Sequence, residues 1–279
     1  MNGAHTSIRD ALYEAPGPKT RRFIRIATAV SLAALALLIA YVIRKFAVNG
    51  QLDARYWALF TKYTTWRFLG YGLAGTLAAA LTAGIITFLT GLLLMLGRLS
   101  GSRIIRGISI ALIEFSRGVP TLLFIYFFLL VVPQFGIKLP ALWKIAMPVA
   151  ISAVGMVSET LRSGVNAVPK GQTEAALSLG MRKWSVFFKI VFPQAIRYVI
   201  HSMISELVIV LKDTTFAYVV SYADLMQNAR VLISNYDALL SVYLVVAIIY
   251  ILINYLLNKA SVAVARHSKQ TRSKEEQLA

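Results

Sequence analysis

Long apolar stretches, each separated from the next by a short polar segment, run along most of the chain. Each stretch is close to the roughly 20 residues that an α-helix needs to cross the hydrocarbon core of a bilayer. Three of them contain no charged residue, whereas the other three contain two to four. The stretches cover residues 26–43, 68–97, 107–132, 143–163, 196–219 and 238–258. This pattern predicts an all-α, polytopic membrane protein with six transmembrane helices.

The stretch at 26–43 fits two interpretations, a retained transmembrane helix or the core of a cleaved signal peptide. It is longer than a typical signal-peptide core, and the sequence IRKFAVNG that follows lacks a clear small-residue cleavage pattern. We therefore interpret it as a retained helix. Residues 44–67 mix aromatic side chains with Lys and Arg, which fits either an interfacial helix on the outer surface or a solvated linker.

Composition and charge agree with this class and predict an orientation. Hydrophobic residues make up 58% of the chain and charged residues 15%, too few to cover a soluble domain of this length. If the spans alternate, 19 of the 29 Lys and Arg residues fall on the same side as the N-terminus and nine on the other. Because basic residues mark the cytoplasmic face, we expect a multi-pass protein of the plasma membrane with both termini in the cytoplasm. The net charge of +17 therefore does not require a nucleic-acid partner.

Catalytic and metal chemistry has no support in the sequence. The chain has no cysteine, and its three histidines, His5, His201 and His267, are scattered. Neither an HExxH helix nor the glycine-rich Walker A loop occurs. We therefore expect no catalytic residues, no metal site and no cofactor bound by this chain, which argues against a membrane-embedded hydrolase.

Residues 174–193, EAALSLGMRKWSVFFKIVFP, form a charged, helix-favouring insert on the side predicted to be cytoplasmic. Thr173 can cap a helix with Glu174 in its first turn, and Gly180 suits a C-terminal stop. The expected helix has about two turns. These residues alone leave two interpretations open. The helix either inserts into a groove of a partner protein or lies as an amphipathic helix on lipid headgroups.

The spacing within this insert resembles the EAA loop of ABC importer permeases. The motif reads E-A-A, three residues, G, nine residues, I, one residue, an apolar residue and P. It matches Glu174–Ala176, Gly180, Ile190, Phe192 and Pro193, although the family usually has Leu before the proline. Four further segments resemble the polar amino-acid branch of that family: FSRGVPTLLFIYFF (115–128), SETLRSGVNAVPKGQTEAA (158–176), PQAIRY (193–198) and LKDTTF (211–216).

This resemblance implies a type I importer permease core over residues 68–265, with a cytoplasmic EAA loop at 165–195. Residues 1–25 are then a cytoplasmic tail, residues 26–67 an added transmembrane helix with an external segment, and residues 266–279 a second cytoplasmic tail. In the family, the EAA helix is a coupling helix seated in a cleft of the ATPase subunit. The implied ATPase-coupling residues are Gly171, Glu174, Ala175, Ala176, Leu177, Gly180 and Met181.

The implied partners are a dimer of ABC ATPase subunits, which holds the ATP and Mg, an extracytoplasmic amino-acid-binding protein, and membrane lipids. The added helix and the opening LYEAPGPKTRR (12–22) are also similar to the larger permease subunit of actinobacterial glutamate importers. That similarity implies a heterodimer with a shorter, related permease, and glutamate as the leading substrate. The alternatives are another polar or basic amino acid carried by the same architecture and, in a different class, a non-transporting membrane scaffold.

Charged residues inside the predicted spans are costly in a membrane and therefore indicate function. Glu114 and Arg117 are three residues apart, so they share a helix face and can pair. Glu159 and Arg162 repeat this spacing. The alternative role for these charges is a structural ion pair that holds helices together. The candidate substrate path comprises Glu114, Arg117, Gly118, Glu159, Glu206, Lys212 and Asp213.

Overall fold

The computed structural model describes residues 17–278, with side chains over residues 17–263, and this part of the chain is helical without a strand. Short 3-10 segments at Ala58–Thr61, Val132–Phe135 and Thr214–Val220, and π-helical turns at Phe127–Val131 and Phe187–Val191, adjoin the α-helices. A single helical turn, Ala54–Trp57, precedes the first of them. The ten longer or site-forming helices are α1 (Pro18–Val48), α2 (Tyr63–Arg98), α3 (Arg103–Gly118), α4 (Thr121–Tyr126), α5 (Ala141–Ala167), α6 (Lys170–Ser178), α7 (Lys183–Val186), α8 (Phe192–Asp213), α9 (Leu225–Tyr236) and α10 (Leu239–Leu278).

The chain divides into two compact units, Met1–Tyr56 and Trp57–Ala279. In the described part of the first unit, α1 is a single apolar helix of 31 residues in which no residue is buried. Proline at its first position supplies a backbone angle suited to a helix start and lacks only an N–H that has no partner there. Pro18 therefore starts the helix eight residues before the predicted span, within the predicted tail 1–25. The rest of that tail, residues 1–16, lies outside the described residues.

The packed interior of the second unit lies where α2 crosses α5. Ala79 and Ala83 of α2 are completely buried in one cluster with Val149 and Ala150 of α5. Small side chains let two helix backbones approach closely, which is how helices associate in a membrane, where lipid removes the hydrophobic drive for their contact. Helix α8 packs against α2, α5 and α10 around this centre.

The prediction of six spans is not confirmed in number. By length and composition, four described helices can cross a membrane, namely α1, α2, α5 and the part of α10 up to Ala263. A fifth span results if α3 and the segment Thr121–Phe135 are counted together. Helix α8 has 22 residues and a length of about 33 Å, enough to cross the hydrocarbon core, but it is not one of these helices.

The third predicted span, 107–132, is not one straight helix. Helix α3 ends at Gly118, and the next helical segment leaves at an angle of 97°. Val119 is extended, with φ −100° and ψ 125°, as expected for a residue before proline. Pro120 then starts a new helix because it cannot donate the N–H that would continue the old one. Gly118 therefore ends one helix, and Pro120 immediately precedes the next.

Two predicted boundaries differ from the structure in detail. Helix α2 begins at Tyr63, five residues before the predicted permease core. The predicted C-terminal tail 266–279 continues the last helix as far as Leu278. The connection between the fifth and sixth predicted spans contains helix α9, which at 12 residues is too short to cross a bilayer.

Candidate functional site

Helix α6 is the short helix that the insert at 174–193 predicts, but it begins earlier than expected. Pro169 stands at its N-cap position with φ −58°, and the helix starts at Lys170. Thr173 therefore lies within the helix, and its predicted capping role is wrong. The proline supplies the helical backbone angle four residues upstream, so the chain is already helical when it reaches Glu174.

The C-terminal stop of α6 is the one that the sequence predicts. Gly180 has φ +80°, a left-handed conformation that glycine adopts without the steric cost of a Cβ. Its N–H donates to the Leu177 carbonyl at 2.9 Å, and the Met181 N–H donates to the Ala176 carbonyl at 3.2 Å. These two bonds close the end of the helix as a Schellman motif does.

One face of α6 is anchored, and the remainder is exposed. Ala176 is buried in a cluster with Val168, Val186, Val191 and Ala195. The exposed side carries Glu174 and Leu177, and Leu179 just beyond the helix end is 84% exposed. Anchoring through a small side chain holds the helix close to the base of α8 while leaving an apolar, acidic surface uncovered. The other predicted coupling positions, Gly171, Ala175 and Met181, lie on the same segment.

Glu159 joins two of the central helices through ion pairs. Its Oε1 accepts from Arg98 Nη1 on α2, and its Oε2 accepts from Arg162 Nε at 2.9 Å within α5. All three side chains are mostly buried. The pairing of Glu159 with Arg162 agrees with the spacing in the sequence. The contribution of Arg98 is not predicted by the sequence, because hydropathy puts that residue in a loop after the second span.

Glu114 and Arg117 form a separate, more exposed pair. Arg117 Nη1 lies 3.4 Å from Glu114 Oε1, and their side chains are 40% and 59% exposed. The end of α3 is pressed against α5, because a Cβ added to Gly155 would lie 2.6 Å from Arg117 Cγ. Gly118, which ends α3, has open space around it. The pair is therefore an exposed feature beside the helix break rather than a bridge between helices.

Lys212 and Asp213 point in different directions, as expected for neighbours on a helix. Asp213 Oδ2 accepts a hydrogen bond from Thr121 Oγ1 at 2.9 Å, and Ser152 Oγ lies 2.8 Å from the same hydroxyl. The three residues join α8, α4 and α5 at the point where α4 starts. Lys212 is exposed and forms no ion pair with any other described residue. Single hydroxyls such as Thr121 and Ser152 are common in apolar stretches, so the sequence alone does not distinguish them.

Glu206 lies in a cavity of about 500 Å³ between α2, α5 and α8. It is the one ionisable side chain among the described residues that line this cavity. Helices α2 and α8 come close together here, because a Cβ added to Gly84 of α2 would lie 2.9 Å from Leu207 Cδ1 of α8. The substrate-path candidates thus fall into four separate places, and the structure does not bring them together into one cluster.

Asp224 is a buried carboxylate that the sequence does not single out. It precedes α9 and caps it, with Oδ1 accepting from the Gln227 N–H at 2.7 Å. Its side chain is fully buried, and Oδ2 has no hydrogen-bond partner among the described residues. Helix α9 is held against α2 by the Leu225 N–H, which donates to Thr76 Oγ1 at 3.0 Å. Aspartate is one of the preferred residues at the N-cap position of a helix, which agrees with the capping role of Asp224. Only the contact between α9 and α2 explains why Asp224 is buried.

The burial of Asp224 predicts that stability depends on pH. Burial raises the pKa of this carboxyl from 3.8 to about 6, although the hydrogen bond from Gln227 opposes the change. The folded protein then binds this proton more tightly than the unfolded chain. Its stability should therefore fall as the pH rises from about 4 to about 6 and stay level above that. Asp224→Asn keeps a capping oxygen and removes the charge, so it should stabilise the protein at pH 7.5 by up to about 3 kcal/mol.

The thermal unfolding midpoint of the purified full-length protein in detergent, followed at pH 4, 5, 6 and 7.5, tests this. The gain of Asp224→Asn over the wild type should disappear at pH 4. Asp237→Asn removes an exposed carboxylate at the other end of α9 and serves as the control for the loss of one negative charge from this helix. A gain that is equal at every pH would contradict a buried, ionising Asp224.

Metal-binding constellations are not present among the described residues, since no group of three or more His, Asp or Glu side chains converges there. The polar groups of the site are paired carboxylates, guanidinium groups and hydroxyls at helix junctions. Such groups hold helices in register and bind polar ligands.

Comparison with known proteins agrees with this geometry. Residues 89–269 match the family described as binding-protein-dependent transport system inner membrane component. The chain is 32% identical over 232 residues to the glutamate transport system permease protein GluD of Corynebacterium glutamicum, covering 81% of this chain and 84% of that protein. It is also 32% identical over 197 residues to the probable glutamine ABC transporter permease protein GlnP of Bacillus subtilis, covering 70% and 90% of the two chains.

A solved structure shares the fold. The crystal structure of an amino acid ABC transporter with histidines superimposes with a TM-score of 0.68 at 30% sequence identity, covering 75% of this chain and 96% of the other. Relatives of this kind are permease subunits, whose transport is driven by ATP hydrolysis on a partner ATPase and supplied by a substrate-binding protein. The chain therefore belongs to the family of binding-protein-dependent inner membrane components, and it is a multi-pass plasma-membrane permease subunit of an amino-acid ABC importer.

Proposed function

We propose that this chain imports glutamate as one half of a heterodimeric permease, with both termini in the cytoplasm. Two of its partners are an ABC ATPase dimer and an extracytoplasmic binding protein that delivers the substrate. Support for glutamate comes from the similarity to a permease of a glutamate transport system over most of both chains. Relatives named for glutamine and cystine transport keep another polar amino acid as the second candidate.

The observation that carries the proposed mechanism is the exposed, anchored helix α6. Its uncovered surface, with Glu174 and Leu177, is available to a cleft of the ATPase. Its buried face, through Ala176, is packed against residues that lead into α8. Closure of two ATPase subunits on ATP would push this helix and its counterpart in the second permease together. That movement would bias the permease pair between outward-open and inward-open states, which is alternating access.

Reconstituted transport tests the proposal. The chain is purified from its native membrane with the proteins that accompany it, and the complex is placed in proteoliposomes that contain ATP. We expect ATP-dependent uptake of glutamate when the binding protein is present, exceeding that of glutamine, arginine and histidine by at least about tenfold. Proteoliposomes without ATP are the control. Preferred uptake of another of these amino acids would replace glutamate, and no uptake of any of them would favour the scaffold.

A further inference from the structure

The segment between helix α6 and the body of α8 has a basic and aromatic surface that the proposed transport mechanism does not use. It comprises residues 182–189 and is called the basic-aromatic segment below. Trp184 is 65% exposed and Phe188 is 46% exposed, and their rings stack with centroids 5.9 Å apart and planes at 18°. Lys183 precedes Trp184 in the helix, and Lys189 follows Phe188. Since each step turns the helix by about 100°, one ammonium group lies on each side of the ring pair.

The other side of the basic-aromatic segment is anchored in the bundle, which fixes the direction of its exposed side. Val186 is buried in one cluster with Ala176 of α6. Phe187 packs against a second buried cluster, which contains Met95 of α2 and Leu161 of α5. Turning the two exposed rings inwards would break both contacts, so the rings stay on the outer surface of the bundle.

These contacts also place the segment at the edge of the hydrocarbon core. Met95 lies three residues before Arg98, where α2 ends and the apolar span 68–97 gives way to a basic connection. Phe187 packs at the level of Met95, on the same side of the bundle as α6. The stacked rings are therefore at the depth where Trp and other amphipathic aromatic side chains are enriched in membrane proteins.

The positive charge of the segment is not compensated within the described chain. Residues 175–205 include four Lys and Arg residues and no Asp or Glu. Arg182, Lys183 and Lys189 are exposed and form no ion pair with any other described residue. Long basic side chains beside an apolar face extend their charged ends towards lipid headgroups. The counter-charge therefore comes from outside this chain, and anionic lipids provide it at this depth.

We propose that the basic-aromatic segment is a binding surface for anionic lipids in the leaflet next to α6. The stacked rings contact the acyl chains and glycerol groups, while Arg182, Lys183 and Lys189 bind the negatively charged headgroups. The contact fixes the base of the helix that continues as α8 to the membrane surface. The inference goes beyond the proposed function, because it holds whichever amino acid is imported. The competing occupant of this surface is the ATPase, and the first test separates the two.

Labelling of the wild-type complex in proteoliposomes gives the first test. The vesicles contain the same fraction of photoactivatable phosphatidylglycerol or photoactivatable phosphatidylcholine, and mass spectrometry measures the labelled fraction of the tryptic peptide 184–189. We expect phosphatidylglycerol to label this peptide at least about threefold more than phosphatidylcholine. Raising the salt concentration from 0.1 to 1 M should reduce the difference, because the Debye length falls from about 10 Å to about 3 Å.

Two results of this labelling would overturn the inference. No label from either lipid would show that the segment is covered by protein in the complex, and the surface would then belong to the ATPase. Equal labelling by the two lipids would show an apolar contact without preference for negative headgroups. Neither result depends on uptake, so the proposed import function stands or fails separately.

Quenching of Trp184 fluorescence gives the second test, on the full-length chain in vesicles. The other three tryptophans, Trp57, Trp66 and Trp143, are replaced by Phe so that Trp184 alone is observed. Brominated lipids quench a tryptophan on contact, so the ratio of quenching by brominated phosphatidylglycerol to quenching by brominated phosphatidylcholine measures the local preference. We expect a ratio of at least about three.

Removing two of the positive charges should bring this ratio close to one. The test variant combines Lys183→Gln with Lys189→Gln. The matched control combines Lys138→Gln with Lys144→Gln, which removes the same charge at the start of α5, the end of that helix away from Leu161. The control should keep the ratio of the parent chain. An unchanged ratio in the test variant would overturn the inference, and if the single-tryptophan chain does not fold, labelling of the wild-type complex decides alone.

Discussion

Replacing Gly180 with Asp is expected to abolish ATP-driven amino-acid uptake while the permease remains folded in the membrane. Gly180 has φ +80° and nothing within 4 Å of the position that a Cβ would occupy. An L-residue there costs about 1–2 kcal/mol of backbone strain, and the new carboxylate would stand on the uncovered surface beside the end of α6. That surface is where the ATPase is proposed to bind. We expect uptake to fall more than tenfold while ATP hydrolysis by the ATPase continues.

Gly136→Asp provides a matched control for this variant. Gly136 also has a positive φ, +76°, and also has no atom within 4 Å of its Cβ position, but it lies in the connection between α4 and α5. The control therefore introduces the same strain and the same charge without altering α6. Uptake and ATP hydrolysis are measured on both purified complexes. Retained ATP-driven uptake by Gly180→Asp would contradict the assignment of α6 as the coupling helix.

Replacing Gly75 with Ala should strongly destabilise the second unit. A Cβ at this position would lie well inside the contact distance of the Ala223 backbone carbonyl oxygen, which cannot rotate away as a side chain would. The chain before α9 is held at this point, since the Tyr222 hydroxyl donates to the Gly75 carbonyl at 3.1 Å. Overpacking of this kind costs about 1–3 kcal/mol or more, and here it also opposes the hydrogen bonds between α9 and α2.

Gly70→Ala is the control, because Gly70 lies on the same helix and has no atom within 4 Å of its Cβ position. That substitution should be neutral or slightly stabilising, since alanine favours a helix over glycine. The measurements are the yield of monodisperse protein in detergent and its thermal unfolding midpoint. Wild-type yield and midpoint for Gly75→Ala would show that α9 does not pack against α2 as described.

Hydropathy in the sequence locates the apolar helices well, because burial in lipid requires a long uncharged run. It does not show where a run is divided, and only the local chemistry of Gly118 and Pro120 indicates the bend within the third stretch. The charges in α8 show the opposite difficulty. Glu206, Lys212 and Asp213 lower the apolar content of a helix that is packed against three others, so composition alone understates its place in the bundle.

The end of helix α6 was predictable from the sequence, but its beginning was not. A residue that ends a helix with a positive φ is usually glycine, so Gly180 is a strong indication of where the helix ends. A threonine that can cap a helix is a weaker indication of where the helix begins. Here the helix begins upstream of Thr173, directly after Pro169. The partners of the charged residues lie beyond local patterns. Arg98 and Glu159 are 61 residues apart in the sequence, and Thr121 and Asp213 are 92 residues apart. A single sequence does not show which residues at such separations are in contact.

Helices α7 and α8 are joined without a break through the π-helical turn at Phe187–Val191, so residues 183–213 form one continuous helix about 46 Å long. Its lower end begins three residues after Gly180, and its upper end reaches the hydroxyl bonded to Asp213. A tilt applied at the base therefore displaces the far end most, and Glu206, about three quarters of the way along, moves with it. The extra residue in the π-helical turn shifts the angular phase of the helix, so the faces of α7 and α8 are offset by about one residue's step around the axis.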